Sequence, residues 1–214
     1  MLKTYYKIEK FDKNVNLISQ SPTYKGRSFV QQFLRAFYMG MTGDTTGTSV
    51  LDTDGSTIGA TESANSSRSF AMYGIGGEEY FEADQDNDFL GSDATGVLIG
   101  TGTTAVAVTD FSLETQIVHG VATGEIEHLP GAVDNLDVNV GLGEASFDVF
   151  RVFRNSSGGA IVVNEIVIYS LLERGASYFT DTNKMCIIRD IVSPGQSIAD
   201  GEYLKVTYTI KVTV

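Results

Sequence analysis

Tryptophan is absent from this chain of 214 residues, cysteine occurs once, and only three prolines and two histidines are present. A single cysteine, Cys186, excludes a disulfide within the chain and fits folding in a reducing cytoplasm. Its setting, Met185-Cys186-Ile187-Ile188, predicts a small buried hydrophobe in a strand, with no histidine nearby to make a reactive thiol. Basic residues are scarce, 15 against 27 acidic ones, for a net charge of −12. That charge disfavours nucleic acid and anionic membranes as partners and favours solubility. No run of about eighteen apolar residues exists, and the opening Met1-Leu2-Lys3-Thr4-Tyr5-Tyr6-Lys7 lacks the apolar core of a signal peptide. Neither a membrane span nor export is expected. Pro22, Pro130 and Pro194 are each expected in a turn.

What is present is a β pattern. Hydrophobic residues make up 42% of the chain and mean hydropathy is near zero, as in globular domains. The segment Leu204 to Val214 places Leu204, Val206, Tyr208, Ile210, Val212 and Val214 on one side and Lys205, Thr207, Thr209, Lys211 and Thr213 on the other. Strand side chains alternate faces, so one face of this segment is expected to be buried. Further strands are expected at 97–99, 105–108, 111–118, 126–129, 136–140, 145–154, 160–169 and 185–192, and residues 3–20 as a strand or hairpin arm. Asp54-Gly55 marks a turn between Ser49-Val50-Leu51 and Thr57-Ile58. One helix is expected: after a cap at Ser28, the residues Phe29, Val30, Phe33, Leu34, Phe37, Tyr38 and Met41 form an apolar stripe opposite Gln31, Gln32 and Arg35, ending near Gly40 or Gly43. The fold class that follows is mainly β, an antiparallel β-sandwich of jelly-roll or immunoglobulin-like kind with one N-terminal amphipathic helix. Residues 1–45 read as a strand and helix packed on the main domain, 46–96 as a Gly/Thr/Asp-rich insertion, and 97–214 as the sandwich core, together one structural domain.

Little in the sequence gathers into chemistry. Gly100-Thr101-Gly102-Thr103-Thr104 is not a phosphate loop, because no lysine follows the glycines; a tight loop approaching other backbone is expected. His119 and His128 could face each other across a hairpin but lack a third metal ligand. The acids Asp84, Asp86 and Asp88 alternate as in the first half of a calcium loop, yet Phe89 and Thr95 stand where glycine and glutamate are needed. A solvated acidic loop is the simpler reading, with Ca²⁺ as the one cation these residues would suit; no other cofactor is implied. Glu165 sits in an apolar stretch and needs a partner if buried, with Arg151, Arg154 and Arg189 as candidates; a structural ion pair involving Glu165, Arg151 and Arg189 is preferred over catalysis. Phe29, Phe33 and Phe37 are candidate interface residues. No nucleophile elbow is present, so no enzyme activity is expected.

Several motifs follow one another along the chain: Ser28-Phe29-Val30-Gln31-Gln32-Phe33-Leu34, the glycine motif at 100–105, Thr109 to Ile117 with His119-Gly120, Phe150 to Gly158, Val163 to Ile166 with Tyr169, Arg189-Asp190, Pro194-Gly195 and Val206 to Ile210. In this order they resemble tailed-bacteriophage virion structural proteins of the small neck, tail or capsid-decoration type. The resemblance implies a non-enzymatic virion component on the outer capsid, neck or tail. It would be made in the host cytoplasm and assemble with itself and with other virion proteins such as capsid, portal-adjacent or tail proteins. A second class also fits the residues: a receptor- or carbohydrate-binding module using the 42–95 loops, with Tyr73, Tyr80 and Phe81 as an aromatic platform.

Overall fold

The computed structural model describes residues 1–26, 29–42, 50–58, 70–73, 93–174 and 183–214. Its strands are β1 (Leu2–Phe11), β2 (Leu17–Gln20), β3 (Tyr24–Gly26), β4 (Val50–Leu51), β5 (Thr57–Ile58), β6 (Phe70–Tyr73), β7 (Gly96–Gly100), β8 (Glu127–Val133), β9 (Asp137–Asn139), β10 (Glu144–Arg154), β11 (Ile161–Arg174), β12 (Asn183–Ile198) and β13 (Tyr203–Thr213). One helix, α1 (Gln31–Thr42), occurs among the described residues. The chain is mainly antiparallel β.

Seven strands form the larger sheet, in the order β2-β1-β13-β10-β8, with β3 also on β1 and β9 also on β10. Four form the smaller, β12-β11-β6 with β7 also on β11. The first strand pairs with the last along its whole length, from Leu2 opposite Val212 to Phe11 opposite Tyr203. Tyr6, Ile8, Val149, Phe153, Leu204, Val206 and Tyr208 of the larger sheet meet Ile99, Ile161, Val163, Ile166, Ile168 and Met185 of the smaller in one buried cluster. This arrangement is consistent with a β-sandwich.

The smaller sheet is buried on its other face too. Val30, Leu98, Leu113, Val167, Tyr169 and Cys186 form a second cluster there, under the segment 101–117 and the entry to α1. A sheet covered on both sides needs near-continuous apolar strands. That is the pattern of Ile161 to Tyr169 and Met185 to Ile188, interrupted by Asn164 and Glu165. The thiol of Cys186 is fully buried in this layer, which raises its pKa well above the ordinary value.

Three expectations change. Residues 105–108 and 111–118 are not strands but a covering loop, with only Gln116 bridging to Gly100. The helix buries Gln32 and Ala36, while Leu34, Phe37 and Tyr38 face outward. Ala36 lets the helix approach the sheet closely, and the Gln32 amide oxygen accepts the Leu51 N–H at 2.8 Å, so Gln32 of the expected polar side turns inward beside Phe33. Pro130 and Pro194 stand inside β8 and β12 rather than in turns, at register shifts where the ladder needs no N–H from them. The expected cap Ser28 lies outside the described residues. The hairpin around Asp54-Gly55 is present, with Val50 opposite Ile58 and Gly55 at φ +85°.

Candidate functional site

The most developed polar arrangement centres on Glu165. The register of β11 against β12 shifts between Val163 and Glu165, where Asn164 stands against residues 192–195, and the two-residue period breaks: Ile161 and Val163 face the sandwich core, as do Ile166 and Ile168, while Glu165, Val167 and Tyr169 face the covering loop. The carboxylate is fully buried. Its Oε1 accepts the N–H groups of Gly102 at 3.0 Å and Thr115 at 2.9 Å, and its Oε2 accepts that of Glu114 at 3.1 Å. Arg189, on the neighbouring strand β12, donates to Oε2 from Nε at 3.0 Å and from Nη2 at 2.9 Å.

The other edge of the Arg189 guanidinium reaches the loop itself. Nη1 donates to Asp110 Oδ2 at 2.7 Å, and Nη2 to the Thr104 carbonyl at 3.2 Å. Burial works against the Arg189 charge, but hydrogen bonds to Asp110 and Glu165 outweigh it and raise its pKa. Nearby, Glu114 Oε2 accepts the N–H groups of Thr103 and Thr104, each at 2.9 Å, and the Thr104 N–H above all holds its pKa below the ordinary value. The Tyr169 hydroxyl accepts the Leu113 N–H at 2.6 Å. Burial foremost raises that phenol's pKa, so it stays neutral.

These bonds supply backbone partners that a strand ladder would otherwise give. A loop lying on a sheet carries polar backbone groups that must be satisfied once covered. Glu165 and Glu114 serve the N–H groups, and Arg189 serves a carbonyl. Gly100 and Gly102 are there for contact: a Cβ on Gly100 would stand 2.5 Å from the Thr115 carbonyl oxygen, and one on Gly102 would press on Glu165 and Glu114. This is the close approach expected of the glycine motif.

Of the three residues considered for an ion pair, Glu165 and Arg189 meet and Arg151 stands apart. Arg151 is fully buried on β10, where Nε donates to the Leu129 carbonyl at 2.8 Å and Nη1 to the Thr95 carbonyl at 3.1 Å. Burial pushes its pKa down to about 10, partly opposed by Asp93. Arg154 pairs with Glu127 at 3.7 Å near the surface. Sequence reasoning gave no role to Asp110, Glu114 or Asp190. The first two act through the irregular loop that was read as strand. Asp190 follows Arg189 in β12 and so faces the opposite layer, where the Tyr208 hydroxyl donates to it at 3.2 Å. Alternation along β12 was the available signal for Asp190.

His119 and His128 do come together, with ring centroids 5.9 Å apart. The His128 backbone N–H donates to His119 Nδ1 at 3.0 Å, and His128 Nε2 lies 3.1 Å from the Ile117 carbonyl, to which it must donate. Both contacts are structural. Among the described residues no group of three His, Cys, Asp or Glu side chains is placed to hold a metal. Asp84, Asp86 and Asp88 lie outside the described residues, as do Tyr80 and Phe81. Among the described residues no helix is long and apolar enough to cross a membrane.

Of the candidate interface residues, Phe29 and Phe33 meet in a tilted ring contact at 4.5 Å and pack against the main core, Phe29 also bridging to Ile188. Phe37 stacks on Phe33 at 6.3 Å and is half exposed beside Leu34 and Tyr38. No protein-family model matches the chain, and neither a curated protein nor a solved structure was found that is similar to it.

Proposed function

We propose that this chain is a non-enzymatic structural component of a tailed-phage virion, working through subunit interfaces on the outer capsid, neck or tail. The observation that carries the reading is where the chain spends its polar and apolar groups. The buried charges Glu165 and Arg189 tie a loop to a sheet, while large apolar side chains stay exposed in groups: Leu34, Phe37 and Tyr38 on α1, and a second set at one end of the larger sheet. Contiguous exposed apolar surface on a folded domain marks an interaction site. The resemblance of the ordered motifs to virion proteins supports the particle as the setting, and the net charge of −12 favours a position facing away from DNA. The sandwich we propose for this role is of jelly-roll or immunoglobulin-like kind, supported by two antiparallel sheets with a common core.

Quantitative mass spectrometry of purified phage particles from the same source tests this. Hundreds of copies per particle would support capsid decoration, and a dozen or a small multiple of three or six would support the neck, tail or fibre. Absence from the particle would overturn the reading. Glycan binding by the isolated chain would then favour a binding module.

A further inference from the structure

The larger sheet is longer than the surface that covers it. Its core-facing side ends in a row that runs straight across four strands: Val138 on β9 opposite Ala145 on β10, Ala145 opposite Val212 on β13, and Val212 opposite Leu2 on β1. Directly paired residues share a face. Val212 has the parity of Tyr208 and Ile210, and Leu2 that of Tyr6 and Ile8, so the row extends the face that builds the main core. Yet Val138 is 58% exposed, Val212 43% and Leu2 41%. Val140, Leu142 and Val214 border the row and are more exposed still.

We infer that this uncovered end of the core face is where a second copy of the chain docks, across a two-fold axis. The inference rests on the assembly reading above and names the partner and the surface. Area is the first argument. At about 100 Å² per fully exposed Val or Leu side chain, Leu2, Val138, Val140, Leu142, Val212 and Val214 present roughly 400 Å². One partner in a standard homodimer supplies about 500 Å² of apolar area, and Ala145 with the flanking Val133 and Leu136 brings the patch to that size.

The covered part of the sheet chooses the axis. The strands run from the row toward the smaller sheet, so a copy laid on the row with its strands pointing the same way would run into that sheet. A two-fold axis along the row instead sends the strands of the two copies in opposite directions and sets each residue of the row, Ala145 among them, against its own mate. That is what an isologous interface requires.

Sedimentation equilibrium and mass photometry of the full chain test this, comparing wild type with Val138→Asp. That position is an exposed edge strand, so the variant is expected to fold with unchanged circular dichroism. The expected result is a wild-type dimer whose dissociation constant rises at least about tenfold in the variant. As a second measure, Ala145→Cys near the axis should give a disulfide-linked dimer under mild oxidation, while exposed Gly159→Cys should not. The buried native Cys186 leaves the background low. A wild-type monomer at tens of micromolar, a dimer indifferent to Val138→Asp, or equal cross-linking at both cysteines would overturn the inference. The copy number in particles is measured independently, so the virion reading stands or falls apart from this one.

Discussion

Replacing Glu165 by glutamine keeps the side chain's shape and removes its charge and half its accepting capacity. The carboxylate receives three backbone N–H bonds and two from Arg189. If the glutamine oxygen stays with the Gly102 and Thr115 amides, its NH₂ group faces the Glu114 N–H and two guanidinium donors. If it turns the other way, the Gly102 and Thr115 amides lose their acceptor. Breaking a buried ion pair on one side costs about 3–5 kcal/mol. Asp110, about one-fifth exposed, still holds the Arg189 charge, so the lower end, about 3 kcal/mol, is expected. For a domain of this size that lowers Tm by roughly 6–12 °C. Thermal unfolding followed by circular dichroism reads the shift, and hydrogen exchange locates it, with protection lost first at the amides of Gly102, Glu114 and Thr115. A double variant, Glu165→Met with Arg189→Met, should cost less than the two single methionine variants added together, because neither charge is then left buried alone. A shift of less than about 2 °C in Glu165→Gln, with protection of those amides intact, would refute the claim that this carboxylate pins the loop.

Gly102→Ala puts a methyl group against Glu165 and Glu114 and should destabilise by about 1–3 kcal/mol, whereas Gly159→Ala, with open space around it and no positive φ, should change the urea midpoint little. The folded state depresses the Glu114 pKa, so its contribution is fully present above the ordinary value of 4.5 and is lost as pH falls through the depressed one. Glu114→Gln should therefore flatten the acid limb of Tm against pH, and an unchanged limb would assign the acid sensitivity elsewhere. The Cys186 thiol, buried and raised in pKa, should ignore an aromatic disulfide reagent in the native protein and react fully in guanidinium, a prompt native reaction showing that the covering layer opens. Phe33→Ala should cost more stability than Phe37→Ala, because Phe33 packs on the core and Phe37 is half exposed; equal losses would contradict that placement.

Strands were legible in this sequence wherever one face is wet. Along β13 the alternation of apolar residues with lysine and threonine named the inward side chains Leu204, Val206 and Tyr208, because alternation is a local consequence of the extended backbone. The Asp54-Gly55 hairpin was legible for a similar reason, since a glycine at positive φ is a local requirement. The candidate site was legible only in part. A carboxylate inside an apolar run announces that it has a partner, but three arginines in strands offered themselves. Arg189 meets Glu165 because β12 lies beside β11, while Arg151 belongs to the other sheet.

Tertiary structure decided the rest. The register shift after Val163 turns Glu165 out of the sandwich core, and it is set by how β11 meets the extra residues of β12 rather than by β11 alone. Within the loop 101–117 the stretches 105–108 and 111–118 read as strand from their β-branched and apolar residues, but the N–H groups of Gly102, Leu113, Glu114 and Thr115 and the Thr104 carbonyl find their partners in side chains of the sheet beneath. The face of α1 that turns inward depends on how closely Ala36 approaches the sheet and on the Leu51 N–H awaiting Gln32, neither of which periodicity records. The row from Leu2 to Val138 joins both ends of the chain to its middle, and each of its residues looks like core in sequence. The sequence by itself determined which side chains avoid water within each strand. How far the second sheet reaches decided which of them stay uncovered, because burial depends on the neighbouring layer rather than on the strand.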